Sequence, residues 1–327
     1  MLLNFTVENC LSFKSEQEFT MLRKGRHGTQ EEQGAWSRIS PVAVIYGDNA
    51  AGKSNLLKCM NFFSNFVRNS FALREGINTQ PFLLDRESAK QPSTFYIEFI
   101  AKDGNRYQYW FRIDTHKVLE EVLWMFRSAT NRRTVVFERE IGKKTKIGAQ
   151  FPNIGKIAHL VRENALLLSA AAALNITSVI PAYNIIANSI QCYPAVDFDN
   201  SFGVFVHRIR KNPGRALLLS KLIRVADLGI TDVEFEEKDV PEELLEELRK
   251  LEESGVSGSS VPTVDEALGD SSASSSPKYF MPRVLFSHQG KGVIRQLSEQ
   301  WESQGTKNVM LLLDWVLDSL ERPSITL

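Results

Sequence analysis

Cysteine is scarce in this chain: Cys10, Cys59 and Cys192 are the only three in 327 residues. None stands in a C-x-x-C pair, which argues against a zinc ribbon and a disulfide framework, and the three read as isolated thiols in a reducing cytosol. An excess of either charge is also missing, since 39 basic side chains balance 39 acidic ones. No overall field draws the chain to nucleic acid or to an anionic membrane, so any nucleic-acid contact must be local or belong to a partner. Long apolar runs are absent too. No stretch approaches the roughly eighteen residues a membrane helix needs, and MLLNFTVENCLSFKSEQ lacks a basic segment followed by a long apolar one. The expectation is a cytoplasmic protein with no membrane contact. The histidines His27, His116, His159, His207 and His288 show no metal-ligand spacing and read as surface or packing residues.

What the chain does have is apolar material, 43% of its residues, enough for one large domain or two ordinary ones. Leu2 to Val7 and Phe13 to Met21 predict two strands joined by a turn at Asn9 to Ser12. Ser40 to Tyr46 (SPVAVIY) is a β-branched run ended by Gly47, and it predicts a buried strand of a mostly parallel sheet. Beyond it, Leu56, Met60, Phe63 and Val67 recur at helical spacing. From Thr94 to Arg139 the runs FYIEFIA, YQYWFRI, VLEEVLWMF and TVVFERE predict an antiparallel meander with a turn at Asp103-Gly104-Asn105. Helices are predicted over Ala165–Asn175 and Pro213–Asp227. A third is expected after Asp239, where Glu242 completes a capping box and Leu244, Leu245, Leu248 and Leu251 form a stripe. Ser254 to Pro277, dominated by Ser and Gly, reads as a linker.

The chemistry concentrates in GDNAAGKSN. Gly47, Gly52, Lys53 and Ser54 fill the fixed positions of G-x-x-x-x-G-K-[ST], between a predicted strand and a predicted helix. Glycines let backbone N–H groups converge on phosphates, and the helix N-terminus adds positive potential. Lys53 can reach the β and γ oxygens, and Ser54 can ligate Mg²⁺. Cys59, on the same helix, reads as a small core residue. Such a loop names no reaction by itself.

A second motif lies in LSEQWESQGTKNVMLLLDWVLDSL. Val309, Leu312, Leu313, Val316, Leu317 and Leu320 predict a long helix from about Thr306, preceded by Ser303, Gln304 and Gly305. That is an arrangement for gripping an anion. A well-capped helix without a ligand fits equally, and the local sequence does not separate the two.

ESQGTK resembles the signature motif of ABC-type ATPases, in the form found in bacterial AAA-domain proteins of the abortive-infection and phage-defence group, relatives of OLD-family and SMC-type ATPases. NCLSFKSE, PFLLDRES, FYIEF, YWFRI, NALLLSAAAALN and ADLGITDVEFEE resemble further landmarks of that group, in its order. The resemblance implies an α/β P-loop NTPase fold of ABC type, with a mixed central sheet, an antiparallel β meander and a helical insertion. It also implies a head-to-head dimer that sandwiches ATP. In that arrangement Gly47, Asn49, Gly52, Lys53, Ser54 and Asn55 would hold phosphate and Mg²⁺ in cis, and Ser303, Gly305 and Thr306 would meet the γ-phosphate in trans. Gln80 would sense Mg²⁺ and the attacking water, with an ordinary loop glutamine as the competing reading.

The family's Walker B strand, four apolar residues followed by Asp-Glu, is not found. MLLLD (Met310 to Asp314) imitates it, but Trp315 follows and the segment lies within helical periodicity. VEFEE (Val233 to Glu237) alternates like a solvated strand. Ser324 to Leu327 reads as the start of the Walker B strand, cut short in a truncated chain or completed by another polypeptide.

The expected organisation is an ATPase lobe over 1–160, an insertion over 161–277 and the start of a second lobe over 278–327. The expected function is ATP-driven dimerisation controlling a partner or effector. The alternative is a degenerate binding or scaffold module acting through protein or DNA contacts, for which the basic cluster His207-Arg208-Ile209-Arg210-Lys211 is the candidate surface.

Overall fold

The computed structural model describes residues 1–23, 39–74, 76–191, 198–226, 229–239, 280–321 and 325–326. By internal contact the chain falls into two compact units, Met1–Cys192 with Pro323–Leu327, and Tyr193–Arg322. Neither break coincides with the boundaries at 160 and 277 expected from the sequence.

The first unit is built on a seven-stranded sheet of order β2-β1-β3-β4-β5-β6-β7. Its strands are β1 (Leu2–Glu8), β2 (Gln17–Thr20), β3 (Ser93–Ile100), β4 (Arg106–Ile113), β5 (Val118–Phe126), β6 (Arg133–Glu140) and β7 (Lys146–Ile147). Every pairing is antiparallel. The expected hairpin and meander are therefore present, whereas the expected mixed central sheet is not seen among the described residues. The meander's turns are tight: Gly104 takes φ +78, which a Cβ would disfavour, while the Asp103 carboxylate accepts from the Asn105 N–H.

Alternation sets the sheet's faces. Phe5, Val7, Phe95, Ile97, Phe99, Tyr109 and Phe111 all point inward, with 0–1% exposure. Against them lies α1 (Lys53–Asn69), whose Cys59, Met60, Phe63, Phe66 and Val67 are buried. Phe63 stacks on Phe111 at 5.1 Å and meets Phe5 edge-on at 5.6 Å. Each fully buried Phe of this kind contributes roughly 1.5–3 kcal/mol over its exposed state, so the helix that follows the glycine loop is bolted to the sheet. Helices α2 (Pro152–Ile157), α3 (Leu167–Ala173) and α4 (Ile180–Tyr183) follow, the last running into a π-helical turn, Asn184–Ser189. Strand β8 (Ile190–Gln191) pairs in parallel with β12 (Ile325–Thr326).

One expectation fails here. Residues 41–47 form no strand, and Val42, Val44 and Tyr46 are 70%, 79% and 91% exposed. The apolar run has the composition of a buried strand, but β1 is already flanked on both sides by β2 and β3, and among the described residues no other strand offers its backbone to this segment.

The second unit has a three-stranded antiparallel sheet, β11-β10-β9, made of β9 (Ile230–Asp239), β10 (Phe280–Gln289) and β11 (Ile294–Ser298). It packs with α5 (Phe198–Arg210), α6 (Pro213–Val225) and α7 (Gln304–Glu321) around Phe205, Val206, Leu219, Ile223, Val284, Phe286, Met310 and Leu311. The VEFEE segment is a strand with buried Val233 and exposed Glu234, in line with its alternation. Asp239 closes that strand. The helix expected after it and the Ser/Gly-rich segment lie outside the described residues, as do Cys192 and His27.

Candidate functional site

The sequence after Gly47 folds as a loop because Ala50 and Gly52 both take positive φ, +65 and +93, reversing the backbone twice before α1 begins. Gly52 caps that helix with no side-chain hydrogen bond, and no acidic residue occupies the first turn. The first-turn N–H groups are therefore not claimed by a side-chain cap, and the positive end of a 17-residue helix is presented at the loop. Lys53 folds back over the loop, and its Nζ donates to the carbonyls of Gly47 and Asp48, each at 2.7 Å. Those carbonyls hold the ammonium over the site, from which it can transfer to a phosphate oxygen. Gly47, Asn49 and Ser54 are exposed, so a ligand has free approach to the loop and to the serine hydroxyl.

Asn55 points elsewhere. Its amide donates to Ser12 Oγ at 2.9 Å, which ties α1 to the turn between β1 and β2. A Cβ on Gly52 would lie 3.1 Å from both Ser12 Oγ and the Phe13 ring, so this turn fills the space behind the loop. The turn is itself pinned. Asn9 donates to the carbonyls of Ser88 and Gln91 at 2.8 Å, and the Leu11 N–H donates to the Gln80 carbonyl at 2.8 Å. The structure thus joins Gln80 to the phosphate-loop helix through a single turn, while the Gln80 residue stays exposed.

From the sequence, Asn9 to Ser12 reads as a hairpin turn within the NCLSFKSE landmark, with no contact to the glycine loop. Its buttressing role depends on positive φ at Asn9 and Leu11, +51 and +53. Asn tolerates that region, but nothing marks a leucine for it. The same turn corrects the reading of the cysteines: Cys10 and Cys59 are buried and in contact, Sγ to Sγ 3.6 Å, so they are not isolated thiols.

The second motif forms as predicted, as the N-terminus of α7. Ser303 caps it: the Thr306 N–H donates to Ser303 Oγ at 3.0 Å, and the two hydroxyls lie 2.9 Å apart. Ser303 and Gly305 are exposed, and Thr306 is buried. Glu302 just ahead of them meets His288 Nε2 on β10 at 2.5 Å, so His288 anchors the motif to its sheet. The phosphate loop belongs to the first compact unit and this motif to the second.

Asp314, the acid of the Walker B imitation, lies mid-helix with no exposure and receives hydrogen bonds from Arg215 and Arg208. It is a structural ion pair. The basic cluster is partly spent on the same purpose: Arg208 serves Asp314, and His207 and Ile209 are 7% and 0% exposed. Among the described residues no cluster of three His, Cys, Asp or Glu could hold a metal. A cavity of about 620 Å³ lined by Arg139, Lys143, His159 and Glu163 contains none of the predicted site residues. A phosphate loop grips its ligand on an open shelf of backbone donors, so the cavity is no rival.

A family model described as "AAA domain, putative AbiEii toxin, Type IV TA system" matches residues 42–327. The match begins at the exposed run before the glycine loop and takes in α7. The chain belongs to this AAA-domain family. No curated protein matches it. Membership supports a nucleotide-binding role for this AAA domain, in a toxin–antitoxin context. Among the described residues, no helix is long and apolar enough to cross a membrane.

Proposed function

We propose that this AAA domain binds Mg-ATP at Gly47–Ser54 and that nucleotide binding drives an ABC-type pairing of two copies, which controls a partner or effector protein in bacterial defence. The observation that carries the proposal is the cradle itself: a reversed glycine loop, an uncapped helix N-terminus and a lysine held 2.7 Å from two loop carbonyls. These residues fit a polyphosphate. Backbone donors and Lys53 bind and orient it, and exposed Ser54 supplies a hydroxyl for the cation that screens its charge. In the paired state Ser303, Gly305 and Thr306 of the other copy face the γ-phosphate with the positive end of α7. No described residue is assigned as the base that activates water, so the proposal concerns binding and pairing.

The test is thermal melting with and without Mg-ATP. At 100 times the dissociation constant the ligand adds about 2.7 kcal/mol of stability, and Lys53→Ala should abolish that shift. If Lys53→Ala kept the full shift, the site assignment would be wrong. Pairing is read separately by light scattering with a non-hydrolysable ATP analogue, which should double the mass of the wild type and leave Lys53→Ala monomeric.

A further inference from the structure

The Cys10–Cys59 contact has no part in nucleotide binding as proposed. Cys10 flanks the tip of the Asn9–Phe13 turn, where the Cys10 and Phe13 backbones exchange hydrogen bonds of 3.0 and 2.9 Å. Cys59 lies on α1, in the buried face that packs on the sheet. The residues are 49 apart in sequence, yet the Cys59 S–H donates to Cys10 Sγ at 3.6 Å, with side chains enclosed at 3% and 0% exposure. A disulfide needs about 2.05 Å between sulfurs, so the gap closes by a modest approach of the turn and helix.

We propose that Cys10 and Cys59 form an oxidisable dithiol that closes to a disulfide and locks the Asn9–Phe13 turn onto the phosphate-loop helix. The oxidant class is a hydroperoxide, with hydrogen peroxide as the simplest member. The S–H donation from Cys59 holds the Cys10 thiol below its ordinary value, and together with burial it pushes Cys59 up, so Cys10 ionises first. The Cys10 thiolate attacks one peroxide oxygen, the O–O bond breaks, and hydroxide leaves and takes a proton to become water, which gives the sulfenic acid. Cys59 sulfur then attacks Cys10 sulfur, the S–O bond breaks, and hydroxide departs with the Cys59 proton as a second water. Two thiols lose two electrons in all, and one peroxide becomes two waters.

The lock acts on the loop through contacts already tight. Ser12 and Phe13 abut Gly52, and Ser12 holds Asn55. Drawing the turn inward leaves Gly52 no space to yield into, and the geometry of the phosphate cradle shifts. Oxidised protein should therefore bind ATP about tenfold more weakly, a change of about 1.4 kcal/mol. This second consequence rests on the nucleotide reading of the loop, whereas the cross-link does not.

The experiment oxidises the reduced, full-length chain with hydrogen peroxide, blocks remaining thiols under denaturing conditions and maps the unreduced digest by mass spectrometry. The expected product is a Cys10–Cys59 peptide pair, two hydrogens lighter than its thiols and released by dithiothreitol. In Cys59→Ser, Cys10 should instead accumulate as a dimedone-reactive sulfenic acid. Recovery of both cysteines as alkylated thiols, or a bridge to Cys192, would overturn the proposal. Equal ATP affinity in oxidised and reduced protein would remove the regulatory half. Failure of both forms to bind ATP would instead sink the nucleotide reading and leave the cross-link standing.

Discussion

Arg215 Nε donates to Asp314 Oδ1 at 2.6 Å, with both side chains at 5% exposure or less, and Arg215 Nη2 donates to the Asp314 carbonyl at 2.7 Å. Arg208 occupies the carboxylate's other oxygen, and Arg215 Nη1 reaches Glu321 at 2.9 Å. One aspartate thus gathers α5 and α6 onto α7, the helix that begins at the second motif. The pairing fixes that helix's orientation in its own unit and commits both oxygens of the buried Asp314 to guanidinium partners.

Removing one partner of such a buried pair strands the other's charge, at a cost of about 3–5 kcal/mol. Asp314→Ala should lose that much in urea-induced unfolding. Asp314→Asn retains a polar side chain and should leave Mg-ATP affinity unchanged. A variant that melted like the wild type but lost Mg-dependent nucleotide binding would assign Asp314 to a metal site instead.

Gly52→Ala tests the turn behind the phosphate loop. The position holds φ +93, where a side chain costs roughly 1–2 kcal/mol, and its Cβ would press Phe13 and Ser12 at 3.1 Å. Melting temperature should fall modestly, and the ATP-induced shift should disappear. The Gly52→Ala, Phe13→Ala double variant relieves the ring contact but neither the Ser12 contact nor the backbone strain, so it should recover only part of the stability. Full recovery would mean that the backbone there is not strained.

Much of this was legible in the sequence because it is periodic. The meander strands alternate with period 2, and Leu56, Met60, Phe63 and Val67 repeat at helical spacing, so both elements and their buried faces follow directly. The glycine loop was legible because its residue types and spacing match those a phosphate-binding loop requires. Val42 to Tyr46 misled because composition reports what a segment could bury and says nothing of whether a neighbouring strand is present. Cys10 with Cys59, and Ser12 with Asn55, were invisible for a related reason. Each contact joins residues more than forty apart in sequence through a turn whose φ at Leu11 no local rule requires.

Ser303 distinguishes a capped helix from a ligand site. Replacing a serine cap by alanine costs about 1 kcal/mol, by glycine only a few tenths. Ser303→Ala should therefore lower the stability of the second unit, while Ser303→Gly should barely move it. If Ser303 also meets a γ-phosphate across a dimer, Ser303→Gly loses ATP-dependent pairing in light scattering despite near-normal stability. Normal pairing in Ser303→Gly would reduce the residue to its cap.

Glu121 supplies the pH dependence. Its carboxylate is fully buried and accepts from Tyr109 Oη at 2.9 Å and from the Leu167 and Leu168 N–H groups at 2.6 and 2.9 Å, with the Arg139 guanidinium 3.6 Å away. It fastens the start of α3 to the sheet. Burial pushes its carboxyl above the ordinary 4.5, and Arg139 and the two backbone donors pull back against that rise. With the folded value raised, the unfolded chain releases this proton at lower pH than the native one. Between the two values the native state holds more protons, so stability falls as pH rises. Glu121→Gln places an amide N–H against existing donors and should cost about 1–3 kcal/mol. It also removes the titration. The difference in unfolding free energy, wild type minus Glu121→Gln, should be largest below pH 4.5 and shrink as pH climbs through the raised value. A difference that grew with pH would mean that Arg139 and the helix donors outweigh burial, and that Glu121 is held ionised throughout.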